Sequence, residues 1–412
     1  MTNEYINAND TLWDITTKYP ETIPVFVSQG FNQMEDESKR KAFGSSISLK
    51  TALSLKKYNI DTFMNALTER IRQEHNLADS SLRVTKKEDY SPNAIRVEGL
   101  LPCPVRLPLM EQFQSFVTHI KETKDIEIHH ELKAASMGHD WLIEFGTRIQ
   151  NPENLPDIII SAGFDLFFDE NKIGKYKKMN AFTDHTGFTS LNTVFDNEKI
   201  DLKDPLHQYS MIAAVPAILV VNLSELNGRP IPQSWKDLLD PQFEKSVSLP
   251  IADFDLFNAI LVNIHKNYGE EGVRNLGRTL LESMHPSQMV KSNNKKIDKP
   301  CVTVMPYFFT KMIKDGGPMK AVWPEDGAII SPVFMLTRTD RINELKPVID
   351  FFASKEVGEI MAHKGLMPST NPEIDNRIPE GKTFMWPGWD YINSHNIGEL
   401  LEYCRAIFEG KE

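Results

Sequence analysis

"YSMIAAVPAILVVN", Tyr209 to Asn222, is the stretch on which the reading of this 412-residue chain turns. It is apolar almost throughout, holds one proline and carries no charge. A strand buried on both faces reads as such a run, not as an alternation. It is also longer than an ordinary strand of about five or six residues. A second run of the same kind, "GAIISPVFMLTRTD" from Gly327 to Asp340, comes far downstream. Two unusually long strands, 209–222 and 327–340, are what a chain needs to cross out of one lobe and back again. They predict two sheet systems joined by these crossings.

The residues just after the first crossing fit that plan. In "PIPQSWKDLLDPQF", Pro230 to Phe243, Ser234 is placed to cap a short helix. Trp235 and Leu238-Leu239 give it an apolar face, and Asp240-Pro241 stops it. This helix begins the second lobe. Strand "SVSLPIADF", helices "DLFNAILVNIHKNYG" and "EEGVRNLGRTLLESM", strand "PCVTVMP" and helix "YFFTKMIKDGG" follow. Upstream, strands "AIRVEGLL", "DIEIHHEL" and "PDIIISAG" alternate with helix "LMEQFQSFVTHIKE", opened by Pro108, and helix "HDWLIEFGTRI". Strands alternating with helices predict parallel pairing in an α/β fold.

The first 75 or so residues are different. Thr11 or Asp10 can cap a helix with Leu12, Ile15 and Tyr19 on one face, Pro24 opens another, and Gly30 stops it. Ser48 caps a third helix, and Asp61 starts a fourth in which Phe63, Leu67 and Ile71 recur at helical spacing. The expected organisation is a small helical domain over 1–75, a polar linker over 76–94, and a two-lobed domain over 95–412. Lobe one takes 95–215 and 333–412, and lobe two 216–332.

Composition narrows the function. Hydrophobic residues make up 41% and charged residues 25%, the mixture of a soluble globular protein. The net charge of −11 argues against nucleic acid and against a hold on anionic membrane. Membrane insertion is not expected, since no stretch approaches the roughly 20 apolar residues a span needs. The three cysteines, Cys103, Cys301 and Cys404, are far apart and odd in number, so no disulfide framework is implied. With no export signal read in "MTNEYINANDTLWDITTKYP", the expected location is cytoplasmic.

Residues 95 to about 405 resemble the type-2 solute-binding proteins of ABC importers, in the branch of ferric-iron, thiamine, phosphonate and sugar-phosphate binders. "AAVPAILVVN", "PIPQSWKDLLDPQFEKSVSLP", "WPEDGAIISPVFMLTRTDR" and "KPVIDFFASKEVGEIMAHKGLMPS" carry the resemblance. It implies a two-lobed type-2 periplasmic-binding-protein fold that closes by a hinge on a ligand between the lobes. "YPETIPVFVSQGF", Tyr19 to Phe31, resembles the small helical domain found alone or beside hybrid-cluster proteins and described as a redox-disulfide domain. Members of that family commonly follow the Gly-Phe with Cys-x-x-Cys. Here Asn32-Gln33-Met34-Glu35 stand there, so thiol exchange is not expected, and docking of a protein partner or a structural role remains.

Cleft residues follow from position. In open α/β sheets, ligands sit beyond the carboxyl ends of strands, where helix N-termini present free N–H groups. The candidates are Pro102, Cys103 and His139 in the first loops, Ser161, Ala162 and Gly163 after the third strand, and Asp253, Phe254 and Tyr307 in lobe two. The resemblance suggests ferric iron among the ligands, since ferric relatives hold it with adjacent tyrosines. "MPYFFTKM" keeps Tyr307 but has Phe308 and Phe309 beside it, leaving Asp140, Asp253 or Asp255 to complete a ligand set. A softer metal would draw on Cys103, His129, His130, His139 or Cys301, none at a tight ligand spacing.

No nucleophile elbow, phosphate-binding loop, dinucleotide fingerprint or metalloprotease His pair is present, so catalysis is not expected. The leading expectation is non-catalytic binding of an anion or small organic molecule in an inter-lobe cleft. The alternative is a metal-binding or redox accessory protein that docks a partner through its N-terminal domain. Neither the cofactor nor the metal is legible.

Overall fold

Local capping builds the first elements as the spacing predicts. The computed structural model describes residues 5–78, 93–135, 141, 145–251, 254–283, 299–313 and 316–411. The Thr11 hydroxyl accepts the N–H of Asp14 to open α1 (Leu12–Lys18), and α2 (Ile23–Ser28) ends before Gly30 at φ 80°. Asp36 caps α3 (Glu37–Gly44) and Ser48 caps α4 (Leu49–Leu55). For α5 (Ile60–Ala78) the cap is Asn59, whose side-chain oxygen accepts the N–H groups of Asp61 and Thr62. Asp61, the expected start, lies inside the first turn.

These helices form the first of two units, which comprises residues 1–94, 101–129 and 133–138. Its core is aromatic: fully buried Phe63 lies 5.5 Å from Phe26, 6.0 Å from Phe31 and 5.7 Å from Tyr58, ring centre to ring centre. The unit also holds α6 (Cys103–Lys124), whose Glu111 accepts the Asn59 backbone N–H at 2.9 Å. Pro104, not Pro108, marks the first turn of α6; Pro108 is inside the helix. A proline's fixed φ suits the first turn best.

The second unit comprises residues 95–100, 130–132 and 139–412. Its strands, in chain order, are β1 (Ile95–Leu101), β2 (Ile128–Ala134), β3 (Ile158–Ala162), a small β4–β5 hairpin (Asp196–Asn197, Ile200–Asp201), β6 (Ser210–Asn222), β7 (Val247–Leu249), β8 (Leu280–Ser283), β9 (Val302–Pro306), β10 (Met319–Val322), β11 (Ala328–Thr337) and β12 (Phe384–Met385). One continuous ten-stranded sheet runs β2-β1-β3-β11-β6-β9-β7-β8, with β10 also on β6 and β12 also on β11. The two expected sheet systems are thus one sheet, because β6 and β11 pair antiparallel with each other across its middle. Every residue of both strands is buried.

Between the strands lie α7 (Phe164–Phe168), α8 (Gly174–Lys178), α9 (Trp235–Leu238) and α10 (Phe254–Thr279), followed by α11 (Ile342–Phe352), α12 (Lys355–Glu359), α13 (Trp389–Ser394) and α14 (Ile397–Glu409). The two helices expected over "DLFNAILVNIHKNYGEEGVRNLGRTLLESM" are one run broken at Gly269 (φ 66°, ψ −167°). Leu280–Ser283, expected to be helical, is β8, paired parallel to β7. "YFFTKM" forms a 3-10 turn, Tyr307–Met312, in place of the expected α-helix. The sequence reading gave 333–412 to lobe one, whereas α14 lies along α10: Arg405 donates to Asn258 at 2.7 Å, and the Phe257 and Phe408 rings are 5.1 Å apart.

Candidate functional site

The register of the central strands locates the site. β3 ends at Ala162 beside Val333 of β11, which pairs with Ala213 of β6. β9 ends at Pro306 beside Ala217 of β6. β3 runs toward higher β6 numbers and β9 toward lower ones, since both pairings are antiparallel. The carboxyl ends of the two lobes' strands therefore converge on the segment 213–217 from opposite sides, about 13 Å apart along β6. Parallel pairing aims β1 the same way as β3, and β7 the same way as β9. This is a topological switch point, where open α/β sheets receive ligands.

The converging segment is also where the long strands change partners. One edge of β6 bonds to residues 368–370 up to Ala214, whose N–H donates to Pro368 O, and to β9 from Ala217 onward. N–H groups on a strand alternate between its edges. Position 216 therefore faces the same edge as Ala214, in the gap between the two partners, and it is Pro216. On β11, Ala328 N–H donates to Thr383 O beside β12, and β3 takes over that edge at Val333. Position 332 faces this second gap, and it too is proline. Each proline omits a donor that would be left buried and unpaired.

The expected site residues divide into those the structure groups and those it does not. Pro102 is the N-cap of α6, and Cys103, its first residue, is exposed; both belong to the first unit. His139, Asp140 and Asp253 lie outside the described residues. Ser161 is fully buried and its hydroxyl donates to Ala162 O at 2.7 Å. Gly163 caps α7 at φ 151°, and a Cβ there would stand 3.1 Å from Asp255 Oδ1 in the first turn of α10. The loop after β3 and the start of α10 at Phe254 are thus brought together across the lobes. Tyr307 follows β9 directly, half-buried, with its ring edge-on to Trp323 at 5.2 Å. Trp323 in turn meets Phe384 at 5.4 Å and donates its indole N–H to Thr383 O.

Three polar groups that the sequence reading passed over are buried here without a hydrogen-bond partner among the described residues: Ser331 Oγ, Asn258 Nδ2 and Trp386 Nε1. Ser331 stands in the partner-change segment of β11. Asn258 is in the second turn of α10, and Arg405 on its Oδ1 fixes the amide so that Nδ2 points away. The Trp386 ring packs 5.4 Å from Phe164, the residue after Gly163. A buried unpaired donor costs about 1–3 kcal/mol. The only sequence signal for any of them was a serine inside the apolar run "AIISPVFML".

Among the described residues no group of three or more His, Cys, Asp or Glu is placed to hold a metal ion. Phe308 and Phe309 pack on each other at 4.5 Å. Burial pushes the Cys301 thiol up, and the Cys404 thiol up to about 12. An open groove of ≈ 780 Å³ lies elsewhere, lined by Asp201, His207, Lys266, Trp389 and Tyr391 among others, and includes none of the strand-end residues. No described helix is long and apolar enough to cross a membrane.

Residues 153–395 match the family described as bacterial extracellular solute-binding protein, and residues 6–64 match a domain of unknown function (DUF1858). No curated protein matches the chain. Among solved structures, a ferric binding protein from Campylobacter jejuni is similar at 13% identity and TM-score 0.52, covering 77% of this chain and 99% of that one. The Mannheimia haemolytica ferric iron-binding protein A, in an open conformation, gives 10% identity and TM-score 0.53 over 77% and 99%. The periplasmic binding protein AfuA from Actinobacillus pleuropneumoniae, with fructose-6-phosphate bound, gives 14% and 0.51 over 76% and 98%. At such identities the likeness is one of fold.

Proposed function

The chain belongs to the bacterial extracellular solute-binding protein family and has a two-lobed type-2 periplasmic-binding-protein fold behind a small helical domain; from that premise we propose that it captures an anion or small organic molecule without transforming it. The observation that carries this reading is the convergence of both lobes' strand ends on the segment where β6 and β11 change partners. Ala162, Gly163, Phe254 and Tyr307 contact the ligand, and closure bends the sheet at Pro216 and Pro332. The unpaired donors on Asn258 and Trp386 favour a ligand rich in hydrogen-bond acceptors. Ser161 contributes through its backbone, because its hydroxyl is already bonded.

The neighbours bind different things, ferric iron in two and a sugar phosphate in the third, so a second reading as a ferric binder must be met. A hard ferric ion wants several anionic oxygens, and Phe308 and Phe309 leave Tyr307 without a second phenolate. Native mass spectrometry of protein purified without chelators is expected to show a small organic or anionic adduct. Tyr307→Phe is expected to weaken its binding by about 0.5–1.5 kcal/mol, the worth of an aromatic contact with one hydrogen bond. A purple-red band on adding ferric citrate, lost in Tyr307→Phe, would replace this reading with the ferric one.

A further inference from the structure

The open groove of ≈ 780 Å³ is a concave site away from the strand ends, within the about 300–1,000 Å³ usual for small-molecule pockets. One wall is the loop 201–207 that leads into β6, and the other is α13 with Pro387 and Gly388 before it. The indole N–H of buried Trp389 donates to Leu202 O at 3.1 Å and ties the two walls together. α13 is also fixed to α10, because the Tyr391 hydroxyl and His265 Nδ1 are 2.7 Å apart. The next residue on α10 is Lys266, which lines the groove.

Most of the lysine and aspartate charge here is committed to the loop itself. Lys203 Nζ donates to Phe188 O at 2.5 Å and lies 3.4 Å from the Asp184 carboxylate. The Asp204 carboxylate accepts the N–H groups of Leu206, Gln208 and Tyr209, and Asp201 accepts that of Lys203. Lys266 and Asp390 differ from these. Both are exposed on the groove, and among the described residues neither the amine nor the carboxylate has a hydrogen bond or an ion pair. They stand near each other, since a Cβ on Gly388, two residues before Asp390, would lie 3.9 Å from Lys266 Nζ. An unpaired cation and an unpaired anion thus share a groove whose apolar lining is Trp389, Pro205 and Pro387.

We propose that this groove is a second ligand site, separate from the strand-end cleft, and that it takes a zwitterionic amino acid with a bulky apolar side chain. Asp390 receives the α-ammonium, Lys266 the α-carboxylate, and the side chain lies on the wall of Trp389 and Pro205. A simple anion would meet Lys266 but also Asp390, and a simple cation the reverse. A ligand with both charges on one carbon satisfies both groups through charge-assisted hydrogen bonds. The volume leaves room for a side chain as large as an aromatic ring. Because the walls are already bonded in place, little ordering opposes binding. The site stands independently of the hinged-binder reading.

Saturation-transfer NMR on the full chain tests this with L-phenylalanine, with N-acetyl-L-phenylalanine, which lacks the ammonium, and with L-phenylalanine amide, which lacks the carboxylate. Weakly acidic buffer keeps the amine of the amide protonated. L-Phenylalanine is expected to bind about two- to five-fold more tightly than either blocked form, the weight of one exposed charge pair. Lys266→Gln is expected to erase its advantage over the amide, and Asp390→Asn its advantage over the acetyl form, each leaving the other advantage in place. A merely structural role for either residue would not separate the two blocked probes. Tyr307→Phe is expected to leave all three unchanged. If L-phenylalanine receives no saturation, or the three probes bind alike, the groove is not an amino-acid site. If Tyr307→Phe weakens L-phenylalanine while Lys266→Gln and Asp390→Asn do not, the amino acid sits in the strand-end cleft, and the groove site falls while the cleft reading stands.

Discussion

Asp326 accepts hydrogen bonds from the backbone N–H groups of Trp235 and Lys236 and, at 2.6 Å, from the Tyr268 hydroxyl. The Trp235 indole N–H reaches the next residue, donating to Gly327 O at 2.9 Å. The short helix that opens lobe two is thereby pinned to the start of the strand that closes it. Burial, reinforced by the Asp326 carboxylate, holds the Tyr268 phenol above its ordinary range, so it stays a donor. Bonds to a charged acceptor are the stronger kind. Asp326→Ala is expected to cost about 2–3 kcal/mol, read as a lower urea midpoint with an unchanged slope; a shift within error would mean the helix is held by Trp235 packing alone. Ser234, Trp235 and the Asp240-Pro241 stop were all legible in "PIPQSWKDLLDPQF", because a cap and its helix are neighbours in sequence. Asp326 was not, because it comes 91 residues after the N–H it receives. Ser331, Asn258 and Trp386 escaped notice for the same reason, since an unpaired donor is defined by what surrounds it in space.

At the scale of elements, the long apolar runs announced β6 and β11, and burial on both faces is why they lacked alternation. Their pairing with each other was not legible, because apolar runs carry no register; hence one sheet where two were expected. Length of the helical turn after β9 was also misjudged: "YFFTKMIKDGG" has helical composition, yet Tyr307–Met312 winds as a 3-10 turn, which is tighter and usually short. The prolines were visible from the start, but their meaning depends on the edge each faces. Pro332 fills a gap where β12 gives way to β3, so Pro332→Ala adds a buried N–H with no acceptor. The expected loss is about 1–3 kcal/mol for that donor, with about 0.4–1 kcal/mol more from the freer unfolded chain. Thermal unfolding measures it; an unchanged midpoint would show that the gap admits a partner and that the strand does not change hands there.

Two separately packed units make up the chain, and they differ in what the sequence revealed. The helical unit was readable through its caps and its 3.6-residue spacing, down to Phe63, which is fully buried. That α6 joins it was not readable, because the helix follows β1 in sequence and looks like an ordinary crossover of the sheet. At Asn32–Met34 the chain makes a short 3-10 turn that buries Met34 completely, so this stretch contributes to the core of the helical unit. Each unit then has its own core, aromatic in the first and a mostly aliphatic sheet in the second. Phe63→Ala removes one ring from three aromatic contacts, a change that costs about 3–5 kcal/mol in a well-packed site. Against the about 5–15 kcal/mol that holds a whole domain, this is enough to bring the helical unit near unfolding. Scanning calorimetry of the full chain is expected to show one transition falling steeply in Phe63→Ala while the transition of the sheet keeps its temperature and enthalpy. If both transitions fall together, the aromatic cluster and the sheet unfold as one cooperative body, and the division into two cores is wrong.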